Sequence, residues 1–219
     1  MSADSKNVVK LGIGLVGTMA ALVLGLLVAS AKGSYDTQST ALTEMSAKII
    51  LLDRFLAHYG PETKEIRDLQ RDAVVRILER TWSNDRTSLS QLEPPSIGNE
   101  AIYDKIQGLS PKDDTQRSIQ AQALSIVVSF GQTRWLMYEQ STTSVSLPLL
   151  VVMVFWLTII FISFGLFAPP NATVVASLFV SVLSVSGAIF LIMEMYTPYS
   201  GLIQISSAPL RAALAHLGQ

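Results

Sequence analysis

The side chains that could do chemistry are few. His58 and His216 are the only histidines, and neither stands in a metal-ligand spacing or beside a nucleophile motif. The chain has no cysteine, which removes disulfides, thiolate zinc sites and a Cys nucleophile. There is no Gly-rich phosphate loop and no catalytic signature. The expectation is therefore no enzyme, no metal and no cofactor, with both histidines as surface or interface side chains. Asn171-Ala172-Thr173 matches a glycosylation sequon, but it sits in a short turn between two apolar runs and reads as a chance match.

A stripe of small residues is more informative. Thr18, Ala21, Gly25 and Ala29 follow one another at spacings of three and four inside an apolar run, with Gly14 before them and Lys32 after them. In a helix they share one face. Ser177, Ser181, Ser184 and Ala188 repeat the pattern later. The simpler use of such stripes is close helix packing, because small side chains let backbones approach in a membrane. The sharper use is to line a conduit between several copies of the chain. Thr18, Ala21, Gly25 and Ala29 would then be pore-lining, with Lys32 at the inner mouth, where a ring of cations favours anions. Glu194 is an acid at the edge of an apolar run, and Tyr196 and Tyr199 beside it point to an interfacial position.

The elements that carry these residues are apolar and long. Gln140–Met193 contains no Asp, Glu, Lys, Arg or His. A spanning helix needs roughly 20 apolar residues, so the run holds two spans. Ala168-Pro169-Pro170-Asn171-Ala172 divides it, since two prolines in a row end a helix. The spans are assigned to residues 143–167, helical from Val145, and 173–195. Leu11–Ala31 is a further uncharged run, roughly 30 Å as helix, enough to cross a bilayer after a polar tail at 1–10. Lys6 and Lys10 also suit a signal peptide, but the apolar core is long for one and good helix resumes soon after it.

Charged residues are 15% of the chain against about 25% in an average soluble domain, and they are concentrated between Lys32 and Glu139. Residues 32–142 thus form a charged insert between the first and second spans. A net charge of −1 gives no field that would attract nucleic acid. Thr37–Tyr59 reads as helix, with Met45, Ile49, Leu52 and Leu56 at helical spacing, and Gly60-Pro61 stops it. A second helix from Pro61 to about Trp82 carries Ile66, Leu69, Val74, Ile77 and Leu78 on its apolar side. Its mixed charges, Lys64, Arg67, Asp68, Arg71, Asp72, Glu79 and Arg80, read as a solvated face. Ser83–Ile97 is a loop, Gly98–Leu109 a short helix, and Asp113–Thr142 a long helix expected to run on into the second span, bending near Pro148. Residues 202–219 end the chain as an interfacial or bundle-docking amphipathic helix, with Ser206-Ser207 as cap and Leu210, Leu214 and Leu217 on one face. The class is an all-α membrane protein: three transmembrane helices with a helical cytoplasmic insert between the first and second. Lys32, Lys48, Arg134 and Arg211 against Lys6 and Lys10 place the insert and the C-terminus inside, weakly.

Two stretches carry a resemblance. One is the hairpin from Ser163 to Thr173. The other is Pro198-Tyr199-Ser200-Gly201-Leu202-Ile203 followed by Ser206-Ser207-Ala208-Pro209-Leu210-Arg211. Together they resemble the bestrophin-like domain family of bacterial membrane proteins, over nearly the whole chain. That family is distantly similar to the bestrophins, which are pentameric anion channels. Tyr35-Asp36 is similar to a Tyr-acid pair after their neck helix, and Pro198-Tyr199-Ser200-Gly201 to a Pro-Phe-Gly segment after their last span. Carried over by position, Ala21, Gly25 and Ala29 would line the neck. The chain departs from bestrophins in three ways. Leu202–Ser207 has no acid to hold calcium, Ala and Gly replace bulky neck side chains, and three spans stand where bestrophins have four. The resemblance implies an oligomeric membrane channel or pore, anion-conducting, built as a homo-oligomer, pentameric as in bestrophins, in the bacterial inner membrane, multi-pass and with membrane lipid as its other partner. The alternative function is a non-conducting membrane scaffold whose insert binds a partner.

Overall fold

The computed structural model describes residues 3–82, 96–142, 147–167 and 171–218. Seven α-helices occur among them: α1 (Ala3–Tyr59), α2 (Lys64–Thr81), α3 (Ser96–Gln107), α4 (Asp114–Thr142), α5 (Leu147–Phe167), α6 (Ala172–Met195) and α7 (Ala208–His216). They divide into two compact units. One comprises Met1–Tyr35 and Ser144–Thr197, the other Asp36–Thr143 and Pro198–Gln219.

The apolar unit holds the spanning part of α1 together with α5 and α6. Three helices are long and apolar enough to cross a membrane. Of these, α5 ends at Phe167, and α6 covers Ala172–Met195. The first differs in one respect. No break follows Ala31, and α1 continues without interruption through Lys32 and Gly33 to Tyr59. Helix propensity explains this, since a single interior glycine costs only about 1 kcal/mol relative to alanine. Pro148 is the second residue of α5, a first-turn position where its missing N–H breaks no hydrogen bond. The junction at 143–146, where the continuous bend was expected, lies outside the described residues, as do Ala168–Pro170 of the hairpin turn. Leu27 and Ala31 of α1, Met153 of α5 and Ile192 of α6 form this unit's core, with Val23, Leu24, Leu157 and Ile189 packed against it. Only 11%, 11% and 6% of the three apolar windows is buried, so the spans do not complete a bundle on their own.

The second unit is a helical bundle that carries most of the chain's charged residues. α1 buries Met45, Ile49, Leu52 and Leu56, the stripe expected from spacing, and Leu42 before them. α2 answers with Ile66 and Val74, α3 with Ile102 and Ile106, and α4 with Ala123, Val127 and Phe130. α3 begins two residues earlier than expected, at Ser96. Most of the loop before it, 83–95, lies outside the described residues. The C-terminal segment is bundle-docking: α7 packs on α2 and buries Leu210 and Ala213, and Leu217 just after it is buried too. Leu214, expected on that face, is only half-buried, because Ala213 lies nearer its centre. Gln120 of α4 reaches the end of α3, where its amide donates to the carbonyls of Ile106 at 2.8 Å and Leu109 at 3.0 Å. Ile106 O also accepts from Leu109 N–H at 3.2 Å, and the Gln120 side chain adds to that backbone turn as a cap on the helix end.

The turn from α1 to α2 depends on one glycine. Gly60 has φ 139° and ψ 179°, a region that L side chains rarely enter. Its carbonyl accepts from Thr63 N–H at 3.2 Å, and Pro61 then starts a short 3₁₀ turn through Thr63. Thr63 is fully buried and its hydroxyl donates back to Leu56 O. Gly60→Ala is expected to cost about 1–3 kcal/mol from this backbone strain. Thermal unfolding of the purified protein in detergent measures it, and an unchanged melting temperature would show that the turn relaxes freely.

Candidate functional site

The candidate site is the first-span stripe on α1. Thr18, Ala21, Gly25, Ala29 and Lys32 are all exposed, while Ala20, Leu27 and Ala31 take the side that packs on the other spans. The stripe is therefore not the surface by which α1 meets α5 and α6. A Cβ added at Gly25 would meet nothing within 4 Å, so this backbone is open to whatever lies outside the chain. The Thr18 hydroxyl donates to Leu15 O at 2.8 Å, which satisfies it within its own helix. The stripe consequently offers outward a mostly neutral surface of methyls, methylenes and bare backbone, with one ammonium at its end.

The second stripe behaves similarly. Ser177, Ser181 and Ser184 are exposed, and the hydroxyls of Ser181 and Ser184 donate to Ser177 O at 2.9 Å and Val180 O at 2.8 Å. At Gly14, too, a Cβ would find open space. The two small-residue stripes are thus not packed tightly together within the chain. Beyond the stripes, Tyr196 packs on the Leu27–Ala31–Met153–Ile192 cluster and donates its hydroxyl to Ser30 Oγ at 3.2 Å. That pair ties the end of α6 to α1.

Among the described residues, no cluster of three or more His, Asp or Glu could hold a metal ion. His58 and His216 are both exposed, at the ends of α1 and α7. The Pro198–Ile205 segment is organised by aromatic and backbone contacts instead. Ile205 N–H donates to Pro198 O at 2.7 Å, closing the loop. Trp82 Nε1–H donates to Ile205 O at 2.9 Å, and its ring meets Tyr199 edge-on, with centroids 5.9 Å apart and planes at 86°. Edge-to-face pairs of this kind contribute about 0.5–1.5 kcal/mol beyond burial. Burial also pushes the Tyr199 phenol up to about 12. Its oxygen is buried without a hydrogen-bond partner among the described residues. Trp82→Phe is expected to lose about 1 kcal/mol, the usual net value of one hydrogen bond. Tyr199→Phe keeps the ring and removes the unsatisfied hydroxyl, so it should be neutral or stabilising. Paired melting curves check both, and a large loss at Tyr199→Phe would mean that its hydroxyl has a partner in the assembled protein.

Sequence reasoning missed a second polar feature, Asp53. It lies on the buried face of α1 between Ile49 and Leu56 and is 1% exposed. Arg67 of α2 grips it with both arms of the guanidinium, Nε to Oδ1 at 2.7 Å and Nη2 to Oδ2 at 2.9 Å. The Arg67 pKa is raised, chiefly by that hydrogen bond. Gln70, also buried, donates to Ile49 O at 2.7 Å beside it. The C-terminus closes over the pair: Gly218 N–H points at Asp53 Oδ2 at 3.4 Å, and Arg71 Nη1 at Leu217 O at 3.4 Å. Arg67, half-buried, therefore does not belong wholly to the solvated face on which its neighbours Lys64, Asp68, Arg71, Asp72, Glu79 and Arg80 stand exposed. The legible signal was an acid placed on an otherwise apolar stripe.

These features define an all-helical membrane protein, with three apolar helices of spanning length and a charged helical bundle. A family model of the Bestrophin-like domain matches residues 1–210. The chain belongs to the bestrophin-like family. No curated protein and no solved structure matches it.

Proposed function

We propose that the protein is an oligomeric bestrophin-like membrane channel, anion-conducting, whose conduit is lined by the α1 stripe. The observation that carries this is the exposure of Thr18, Ala21, Gly25, Ala29 and Lys32 on spans that bury about a tenth of their apolar windows within the protomer. Lipid tails suit bulky apolar side chains such as Leu11, Leu22 and Leu26, which flank the stripe and are 76%, 75% and 62% exposed. A small-residue face ending in a cation suits the space between subunits or a water-filled conduit better. Assembly has a second support. α4 leaves Val128, Trp135 and Leu136 48%, 54% and 62% exposed in the second unit, where large apolar side chains mark contact surfaces.

The proposed arrangement places the insert and the C-terminus in the cytoplasm of a bacterial inner membrane. Ser118→Cys, at an exposed position of α4, is then expected to react with a membrane-impermeant maleimide only after lysis. Labelling in intact cells would reverse the topology. Function is tested by reconstituting the purified oligomer into planar bilayers. The channel predicts current with anion preference. A well-assembled oligomer that passes no current at either voltage sign is instead the scaffold, with the α4 face as its partner surface.

A further inference from the structure

The three spans are packed at one end and parted at the other. Leu27, Ala31, Met153 and Ile192 close the first end. At the opposite end a cavity of about 760 Å³ opens between α1, α5 and α6, walled by Gly14, Gly17, Ile160, Ser163, Phe164 and Ser177 among others. The cause is local. Gly14 and Gly17 have no side chain to fill the gap, and a Cβ at either would touch nothing within 4 Å. We propose that this cavity is a binding site for one acyl chain of a membrane phospholipid, which completes the packing of α1 against the hairpin.

The occupant follows from the walls and the surroundings. The volume lies within the roughly 300–1,000 Å³ of small-molecule sites. The wall is overwhelmingly apolar, and the Ser163 hydroxyl is already committed to Ile159 O at 2.7 Å. A buried water needs two to four polar partners, so water is a poor filler. An empty space of this size would leave its wall atoms without dispersion contacts. No wall residue carries a charge, which excludes a headgroup as the part that enters. The cavity is also continuous with the lipid-facing surface. Phe164 lines it and is 46% exposed, and Ser177, which also lines it, is exposed. Hydrocarbon is the medium at that surface, and a chain can enter sideways without crossing a polar layer. This site is independent of whether the protein conducts.

Photocrosslinking tests it on the intact protein. The probe is a phosphatidylethanolamine–phosphatidylglycerol vesicle doped with a phospholipid carrying a diazirine in its acyl chain. After reconstitution, half of the sample is exchanged into lipid-free detergent before irradiation, and crosslinked peptides are mapped. Crosslinks at Ser163, Phe164 and Ser177 should survive the exchange. Those at Phe179 and Leu183, exposed at 68% and 63%, should fall at least tenfold. Gly17→Leu, which adds bulk in the cavity, should remove the retained crosslinks and leave the exchangeable ones. The site is overturned if all crosslinks fall together, or if Gly17→Leu retains them. It is overturned equally if wild-type protein holds no lipid there and Gly17→Leu breaks up the oligomer, since the filler is then a second copy of the chain. Native mass spectrometry of wild type guards against a variant that fails to fold: retained phospholipid should appear at about one molecule per chain, and a lipid-free spectrum sinks the proposal.

Discussion

Asp53→Ala is expected to destabilise the helical bundle more than any other single substitution in it. Asp53 is 1% exposed, and its two oxygens accept both arms of the Arg67 fork. Removing one partner of a buried ion pair costs about 3–5 kcal/mol, because the remaining charge stays desolvated. The Arg67 side chain is 22% exposed and can turn partly towards water, which favours the low end, about 3 kcal/mol. For a chain of this size each kcal/mol shifts the melting temperature by about 2–4 °C, so a fall of about 6–12 °C is expected. The loss should reach the C-terminus as well, since Gly218 N–H loses its acceptor there. Amide exchange in α7 should therefore accelerate in the variant. Two comparisons separate the ion pair from simple packing. Asp53→Asn keeps the shape and should lose less. Asp53→Leu with Arg67→Met removes both charges and should recover much of the loss, because replacing a buried pair by apolar groups is often neutral. A double variant as unstable as Asp53→Ala would mean that the pair itself, rather than the orphaned charge, holds the bundle.

The Asp53–Arg67 contact also shows where the sequence was legible and where it was not. Spans were readable because runs such as Gln140–Met193 contain no charge, and hydrophobicity over some 20 residues has few other uses. The buried stripe Met45–Ile49–Leu52–Leu56 was readable from spacing alone. Arg67 was not. Its charge grouped it with a solvated run, and only the three-dimensional placement of Asp53, one turn along from Ile49, draws it inward. The continuity of α1 past Lys32 was hidden for a related reason. Lys32, Gly33 and Ser34 suggest a boundary by composition, yet none of them is sufficient to end a helix. The small-residue stripes were found by spacing, but spacing does not say what they face. Gly14 and Ser177, which suggested close packing, border a cavity, and the stripe from Thr18 to Ala29 turns outward. Facing is settled by which neighbours a helix already has. Here the packed side of α1 was claimed by Leu27 and Ala31, and the stripe took what remained.

Lys32→Glu is expected to invert the ion preference of the proposed channel. Lys32 is exposed at the C-terminal end of the α1 stripe, and in an assembled ring it repeats once per subunit. At an effective dielectric of about 40 and a separation of about 8 Å, one unit charge changes the energy of a passing ion by roughly 1 kcal/mol. The substitution changes each position by two charges, and several positions act together. The swing therefore exceeds the 1.4 kcal/mol that corresponds to a tenfold ratio, even with salt screening. Wild-type current should favour chloride over sodium, and the variant should favour sodium, with a change of about tenfold or more in relative permeability. Reversal potentials across a tenfold salt gradient report the sign directly. Lys32→Gln should fall between the two. Gly25→Ala adds one methyl to the stripe without charge, so it should alter conductance more than selectivity. These variants leave the buried face of α1 untouched, and equal oligomeric mass on size-exclusion chromatography shows that assembly is intact. Anion preference that survives Lys32→Glu would keep the channel and remove Lys32 from its mechanism. Absence of current from all of them, wild type included, would leave the scaffold as the function.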